Sequence, residues 1–132
     1  MHTEQPPVSE TPRTILVVDD AEQIRNVVKW ILGDRGYTVL AAKDGEACMK
    51  IFHEHSGPIH LLLTDMFMTG TNGREVADHL RASRQEIKVL FMSGQSTQKI
   101  LSQGGLDPEF GFITKPFTPD TLLRKVSEML GV

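Results

Sequence analysis

Three aspartates, one serine and one lysine have the types and placement in this sequence to do chemistry together. Asp19 and Asp20 follow the apolar run Ile15-Leu16-Val17-Val18, and Asp65 follows Leu61-Leu62-Leu63-Thr64. Ser93 closes Val89-Leu90-Phe91-Met92, and Lys115 closes Phe112-Ile113-Thr114. Carboxylates brought to one place raise each other's pKa unless a cation lies between them. Mg²⁺ meets that need, because it takes oxygen ligands, keeps several waters and joins one or two carboxylates to phosphate oxygens. A carboxylate is also a nucleophile toward phosphorus, forming an acyl phosphate, and Asp65 at the end of the middle run is placed for that role. Such a transfer depends on positioning and on neutralising charge, work that Mg²⁺, the Lys115 ammonium, the Ser93 hydroxyl and backbone N–H groups would share. No grouping of Cys and His suggests zinc.

The elements that must position these residues follow from apolar patterning. Residues 15–18 form a continuous apolar run, as a strand covered on both faces requires, and Ile24, Val27, Val28, Ile31 and Leu32 then recur at helical spacing. Strands are expected at 38–42, 59–64, 87–92 and 112–114, and helices at 46–54, around Val76, Ala77 and Leu80, near 97–102, and through Leu122, Leu123, Val126, Met129 and Leu130. Breaks at Ser56-Gly57-Pro58 and through Gly70, Asn72 and Gly73 separate them. Strand and helix alternate, which makes this an α/β domain around a parallel sheet, with residues 14–132 as the domain and 1–13, carrying Pro6, Pro7 and Pro12, as a disordered tail or linker. In such a sheet ligands bind beyond the carboxyl ends of the strands, where all five polar residues fall.

Four motifs in order, Ile15-Leu16-Val17-Val18-Asp19-Asp20, Leu61-Leu62-Leu63-Thr64-Asp65 with Met68 and Gly73, Val89-Leu90-Phe91-Met92-Ser93-Gly94, and Lys115-Pro116-Phe117, resemble the response-regulator receiver domains of bacterial two-component signalling. The resemblance implies a flavodoxin-like, doubly wound sheet of five parallel strands in the order 2-1-3-4-5 with five helices. It implies that Asp65 is the phosphoacceptor, that Asp19, Asp20, Asp65 and the Phe67 backbone carbonyl hold Mg²⁺, and that Ser93 and Lys115 bind the phosphoryl group. The donor would be a histidine kinase or a histidine phosphotransfer protein, and the Lys115–Pro116 bond would be cis. Ser93 and Phe112 match the family's switch pair, which reshapes the face of the fourth helix, fifth strand and fifth helix, where a homodimer would also form. Phe112 lacks the hydroxyl of the commoner Tyr, so packing reports its position. The segment from Gly105 to Pro119 resembles receivers at the carboxyl end of hybrid histidine kinases, and a free-standing single-domain regulator is the alternative.

This sequence departs from the family at Thr69, where Pro is usual, and carries Phe67 and Gln95 at positions that tune access of water to the acyl phosphate. A bulky Phe67 is expected to shield the phosphoryl group. Taken singly, the site residues have plain readings: Asp20 as N-cap of the first helix with Gln23 completing a capping box, Asp65 as a loop aspartate, Ser93-Gly94 as a turn, Lys115 as a solvated lysine, and Phe112 as static core. Their joint placement favours a shared site. An aspartyl-phosphate phosphatase of the haloacid-dehalogenase type needs a second acid two residues past its nucleophile, where this chain has Phe67, so a phosphoacceptor that is not itself an enzyme is expected. Neither phosphate-binding glycine pattern follows the first strand. The net charge of −3 offers nothing to nucleic acid, the apolar runs are too short to span a membrane, and one cysteine with no secretory signal points to the cytoplasm.

Overall fold

A run of five buried residues forms the first strand, β1 (Thr14–Val18), in a computed structural model that describes residues 12–68, 70–84, 86–94 and 110–132. It is followed by α1 (Glu22–Asp34), β2 (Thr38–Ala42), α2 (Gly45–Glu54), β3 (Leu61–Asp65), β4 (Phe67–Met68), β5 (Thr71–Asn72), α3 (Gly73–Ser83), β6 (Lys88–Ser93), β7 (Gly111–Thr114) and α4 (Pro119–Leu130). The main sheet is parallel in the order β2-β1-β3-β6-β7, so its five strands lie second, first, third, fourth, fifth along the chain, the expected flavodoxin-like arrangement. The antiparallel β4–β5 ribbon was not anticipated, since two-residue strands leave no periodic signal. Four helices occur among the described residues where five were expected. The helix placed near 97–102 lies outside them, as do Thr69, Gln95, residues 105–109 and the tail through residue 11.

Alternate strand residues face opposite layers, which makes two cores. Leu16, Val18, Leu62 and Phe91 pack with Phe52 of α2 and Val76 and Leu80 of α3, while Ile15, Val17, Leu63 and Leu90 pack with Val28, Ile31 and Leu32 of α1 and Leu122 and Val126 of α4. Local capping sets where helices begin. The Asp44 carboxylate accepts the Ala47 N–H at 2.8 Å, the Asn72 side chain accepts the Arg74 N–H at 2.6 Å, and Thr118 accepts the Thr121 N–H at 3.1 Å ahead of Pro119. Helix α1 is different, because its N-cap is Ala21 and not Asp20. The capping reading of Asp20 is therefore corrected: the Ala21 N–H is taken by Asp19 Oδ1 at 2.8 Å, reaching forward from the strand end.

Two buried or half-buried side chains yield predictions. Cys48 is fully buried in α2, and burial, reinforced by the Asp44 carboxylate, pushes its thiol up to about 12. The folded protein is expected to resist iodoacetamide and to take up one carbamidomethyl group only after unfolding, read by intact mass. At the foot of β3, His60 Nδ1 accepts the Thr14 N–H at 2.9 Å. Burial and then the Arg13 charge hold this imidazole below its ordinary 6.5. The unfolded chain thus binds the proton more readily, so the stability that neutral His60 contributes is complete above that value and is lost as pH falls below it. Between about pH 7.5 and 5.5 the urea midpoint of His60→Gln should fall less than that of the parent.

Candidate functional site

The five polar strand terminators meet at the carboxyl edge of the sheet. Asp19 is fully buried; its N–H continues the β1–β2 ladder to the Ala42 carbonyl at 3.2 Å, and its carbonyl accepts Arg25 Nη1 at 2.6 Å. Arg25, one turn into α1, thereby clamps the β1–α1 turn, a role its sequence position did not reveal. The Asp19 carboxylate is held on both oxygens, Oδ1 by the Ala21 N–H and Oδ2 by Lys115 Nζ at 2.8 Å. Asp20 is exposed beside it.

Asp65 ends the central strand β3 and is 8% exposed. Its Oδ2 lies 3.6 Å from Lys115 Nζ. Beyond it, the Met66 N–H reaches the Met92 carbonyl at 2.9 Å, and Gly73 at the start of α3 donates to the Met66 carbonyl at 2.9 Å. Gly73 has to be glycine here, since a methyl group on it would sit 2.2 Å from the Asp65 carbonyl oxygen and 2.9 Å from Met66 Cα. Burial pushes the Asp65 carboxyl up; Lys115 opposes this, Asp19 and Asp20 reinforce it, and a hydrogen bond from the Phe67 backbone also favours the charged form. The Phe67 ring is 46% exposed. Ser93 is buried at the end of β6, opposite Thr114 in register, and its carbonyl accepts the Lys115 N–H at 2.8 Å. The Lys115–Pro116 bond is cis, as expected. Phe112 is partly exposed on β7, with its ring 5.9 Å from that of Phe91.

One carboxylate oxygen from each of Asp19, Asp20 and Asp65 lies within 4.8 Å of the other two. Among the described residues, the Lys115 ammonium meets this cluster in ion pairs with Asp19 and Asp65. A hard divalent cation fits this donor set, which is all oxygen and carries excess negative charge. Next to it, Gln23, Ile24, Val27 and Val28 of α1 face Lys115, Pro116 and Phe117 across a largely apolar groove of about 420 Å³. Trp30, further along α1, is 72% exposed. No helix among the described residues is long and apolar enough to cross a membrane.

Known proteins resemble this chain in sequence and fold. The chain is 32% identical over 117 residues to the sensor kinase CckA of Brucella abortus, covering 89% of this chain and 12% of that protein. It is 30% identical to the chemotaxis protein CheY of Pseudomonas aeruginosa, covering 87% of this chain and 94% of that one. The chain spans about half the length or less of several other curated relatives it matches. Among solved structures, the response regulator TrrA of Thermotoga maritima, in complex with Mg²⁺ and BeF, superposes with a TM-score of 0.73 at 32% identity, over 89% of this chain and 99% of that one. Residues 15–127 match the family model described as the response regulator receiver domain, and with the fold and the acid cluster in agreement, this chain belongs to that family.

Proposed function

We propose that this domain accepts a phosphoryl group on Asp65 from a phosphohistidine, in a Mg²⁺-dependent reaction, and passes the signal to its Phe112 face. The observation that carries this reading is the convergence of Asp19, Asp20 and Asp65 at one sheet edge with Lys115 Nζ 2.8 Å from one acid and 3.6 Å from another. An Asp65 carboxylate oxygen attacks phosphorus as the phosphorus–nitrogen bond breaks, and the electron pair of that bond leaves with the donor imidazole. In this reading Lys115 pairs with the phosphoryl oxygens and the Ser93 hydroxyl, from the end of β6, bonds them as well. Mg²⁺ held by Asp19, Asp20, Asp65 and the Phe67 carbonyl would supply neutralisation of the charge on those oxygens. The exposed Phe67 ring limits in-line water and lengthens the life of the acyl phosphate.

The donor is a histidine kinase or a histidine phosphotransfer protein, and it seats beside the acids on the apolar groove between α1 and Pro116-Phe117. Two or three charge-assisted contacts to the new phosphoryl group bias Ser93 and Phe112 toward the switched arrangement. A shift from 1% to 99% of that arrangement takes about 5.5 kcal/mol. The likeness to CckA supports a hybrid histidine kinase as the setting, and the near-complete coverage of CheY supports a free-standing regulator as the second reading. The test is to incubate the chain with acetyl phosphate or a phosphorylated histidine kinase, with and without Mg²⁺, and weigh it intact. A Mg²⁺-dependent gain of one phosphoryl group is expected. No gain from a donor that phosphorylates another receiver in parallel overturns the reading.

A further inference from the structure

Arg25 lies one turn into α1, half-buried, and its Nη1 donates to the Asp19 carbonyl oxygen at 2.6 Å. That oxygen belongs to the peptide group joining Asp19 to Asp20, the two acids that follow the first strand. β1 itself stops at Val18, and the Asp19 N–H continues the ladder to the Ala42 carbonyl at 3.2 Å, so this peptide stands just past the strand. On the other side of Asp20, the N–H of the next peptide, at Ala21, is taken by Asp19 Oδ1 at 2.8 Å. The Asp20 Cα is therefore bracketed by two held peptide groups, one fixed through its carbonyl by Arg25 and the other through its N–H by Asp19.

A residue has only two soft backbone torsions, and each turns it against one of its flanking peptide planes. With both planes held, the direction of the Asp20 Cα–Cβ bond is set before any ligand arrives. Asp19 needs no such help, because it is fully buried and both its carboxylate oxygens are engaged, Oδ2 by Lys115 Nζ at 2.8 Å. Asp20 is exposed, yet one of its oxygens lies within 4.8 Å of carboxylate oxygens of Asp19 and Asp65. The Arg25 backbone N–H donates to the Ala21 carbonyl at 3.1 Å, so the two ends of one residue close around the turn that presents Asp20. A guanidinium has donors and no acceptor, so Arg25 cannot itself be a metal ligand.

We propose that Arg25 is a positioning residue for the divalent-cation site: it holds the Asp19–Asp20 peptide so that Asp20 is presented to Mg²⁺ alongside Asp19 and Asp65. This rests on the Mg²⁺-dependent phosphoacceptor reading and adds to it a residue of α1 that is not itself a ligand. Groups that orient metal ligands from behind change metal affinity by roughly 10- to 100-fold when they are removed. The charge on Arg25 acts in the opposite sense, since a cation beside the acids repels Mg²⁺.

The test is Mg²⁺ binding to the full chain, read by isothermal titration calorimetry. Arg25→Met keeps an aliphatic stem and the helix propensity of Arg while removing donor and charge. It is expected to bind Mg²⁺ about tenfold more weakly than the parent. Loss of a nearby positive charge by itself tightens cation binding, so weakening is the signature of lost positioning. Arg25→Lys keeps the charge and a donor, and it should recover part of the affinity, which loss of packing alone would not allow. Unchanged or tighter binding by Arg25→Met overturns the proposal, as does Arg25→Lys binding no better than Arg25→Met. Circular dichroism in EDTA checks that each variant is folded. If Arg25→Met is not, Arg25→Gln, whose shorter side chain ends before the carbonyl, is titrated in its place against the same expectation. Failure of both to fold makes Arg25 a structural residue and also overturns the proposal. If the parent itself binds no Mg²⁺, the Mg²⁺-dependent reading fails and the role of Arg25 falls with it.

Discussion

Asp65→Asn is expected to abolish the Mg²⁺-dependent gain of a phosphoryl group while leaving the fold intact. An amide oxygen is a far poorer nucleophile toward phosphorus than a carboxylate, and the neighbouring acids are not equivalent substitutes. Both oxygens of Asp19 are already engaged, one by the Ala21 N–H and the other by Lys115. Asp20 is exposed at the rim and lies off the central strand. The same substitution removes one of three carboxylates whose oxygens lie within 4.8 Å of one another. Burial and the charges on Asp19 and Asp20 push the Asp65 carboxyl up, so its ionised form works against the folded state at neutral pH. In buffer containing EDTA the variant should therefore melt above the parent, the usual opposition between activity and stability at a charged site. Intact mass and a thermal melt read the two effects separately. Equal phosphorylation of the variant would move the acceptor elsewhere, and a lower melting point would show that Asp65 stabilises the fold it was argued to strain.

Gly73→Ala should damage both stability and transfer, although Gly73 carries no functional group. Its added methyl would meet backbone atoms, the Asp65 carbonyl oxygen at 2.2 Å and Met66 Cα at 2.9 Å, and neither is the free end of a flexible side chain. Relief requires α3 to slide outward or the strand end to retreat. The first breaks the Gly73 N–H bond to the Met66 carbonyl, and the second moves Asp65 relative to Lys115. Overpacking of this kind costs about 3 kcal/mol, measurable as a lower urea midpoint. A displacement near 1 Å at a reacting group costs roughly 10²-fold in rate, so phosphorylation by acetyl phosphate should slow on that scale. Ala at Gly33, where a Cβ meets nothing within 4 Å, is the control and should leave the rate unchanged. An unaltered midpoint and rate in Gly73→Ala would remove the steric account of this residue.

Much of this protein was legible along the chain because its signals are local. Runs such as Ile15 to Val18 and Leu61 to Leu63 are apolar without alternation, which marks strands buried on both faces, and the helical spacing of Val28, Ile31 and Leu32 marks the layer that covers them. An abrupt change from apolar to Asp, Ser or Lys at the end of a strand marks the edge where ligands bind, so Asp19, Asp20, Asp65, Ser93 and Lys115 could be named before their geometry was known. What the chain alone did not reveal depends on contacts between residues far apart in it. The Lys115 ammonium meets Asp19 across 96 positions. The need for glycine at position 73 exists only because α3 is laid against the backbone of Asp65. Asp20 has the composition of a helix cap, yet Asp19 satisfies the first N–H of that turn, since the strand's direction decides which of two adjacent carboxylates reaches it. The placement of Arg74 and Arg81 over the Phe110 ring likewise joins a helix to the entrance of a strand that no sequence period connects. Periodicity and residue type thus determined the elements and the list of reactive groups. The packing of helices on the sheet decided which of those groups touch, because distances between elements are set by side-chain volumes in the core and not by spacing along the chain.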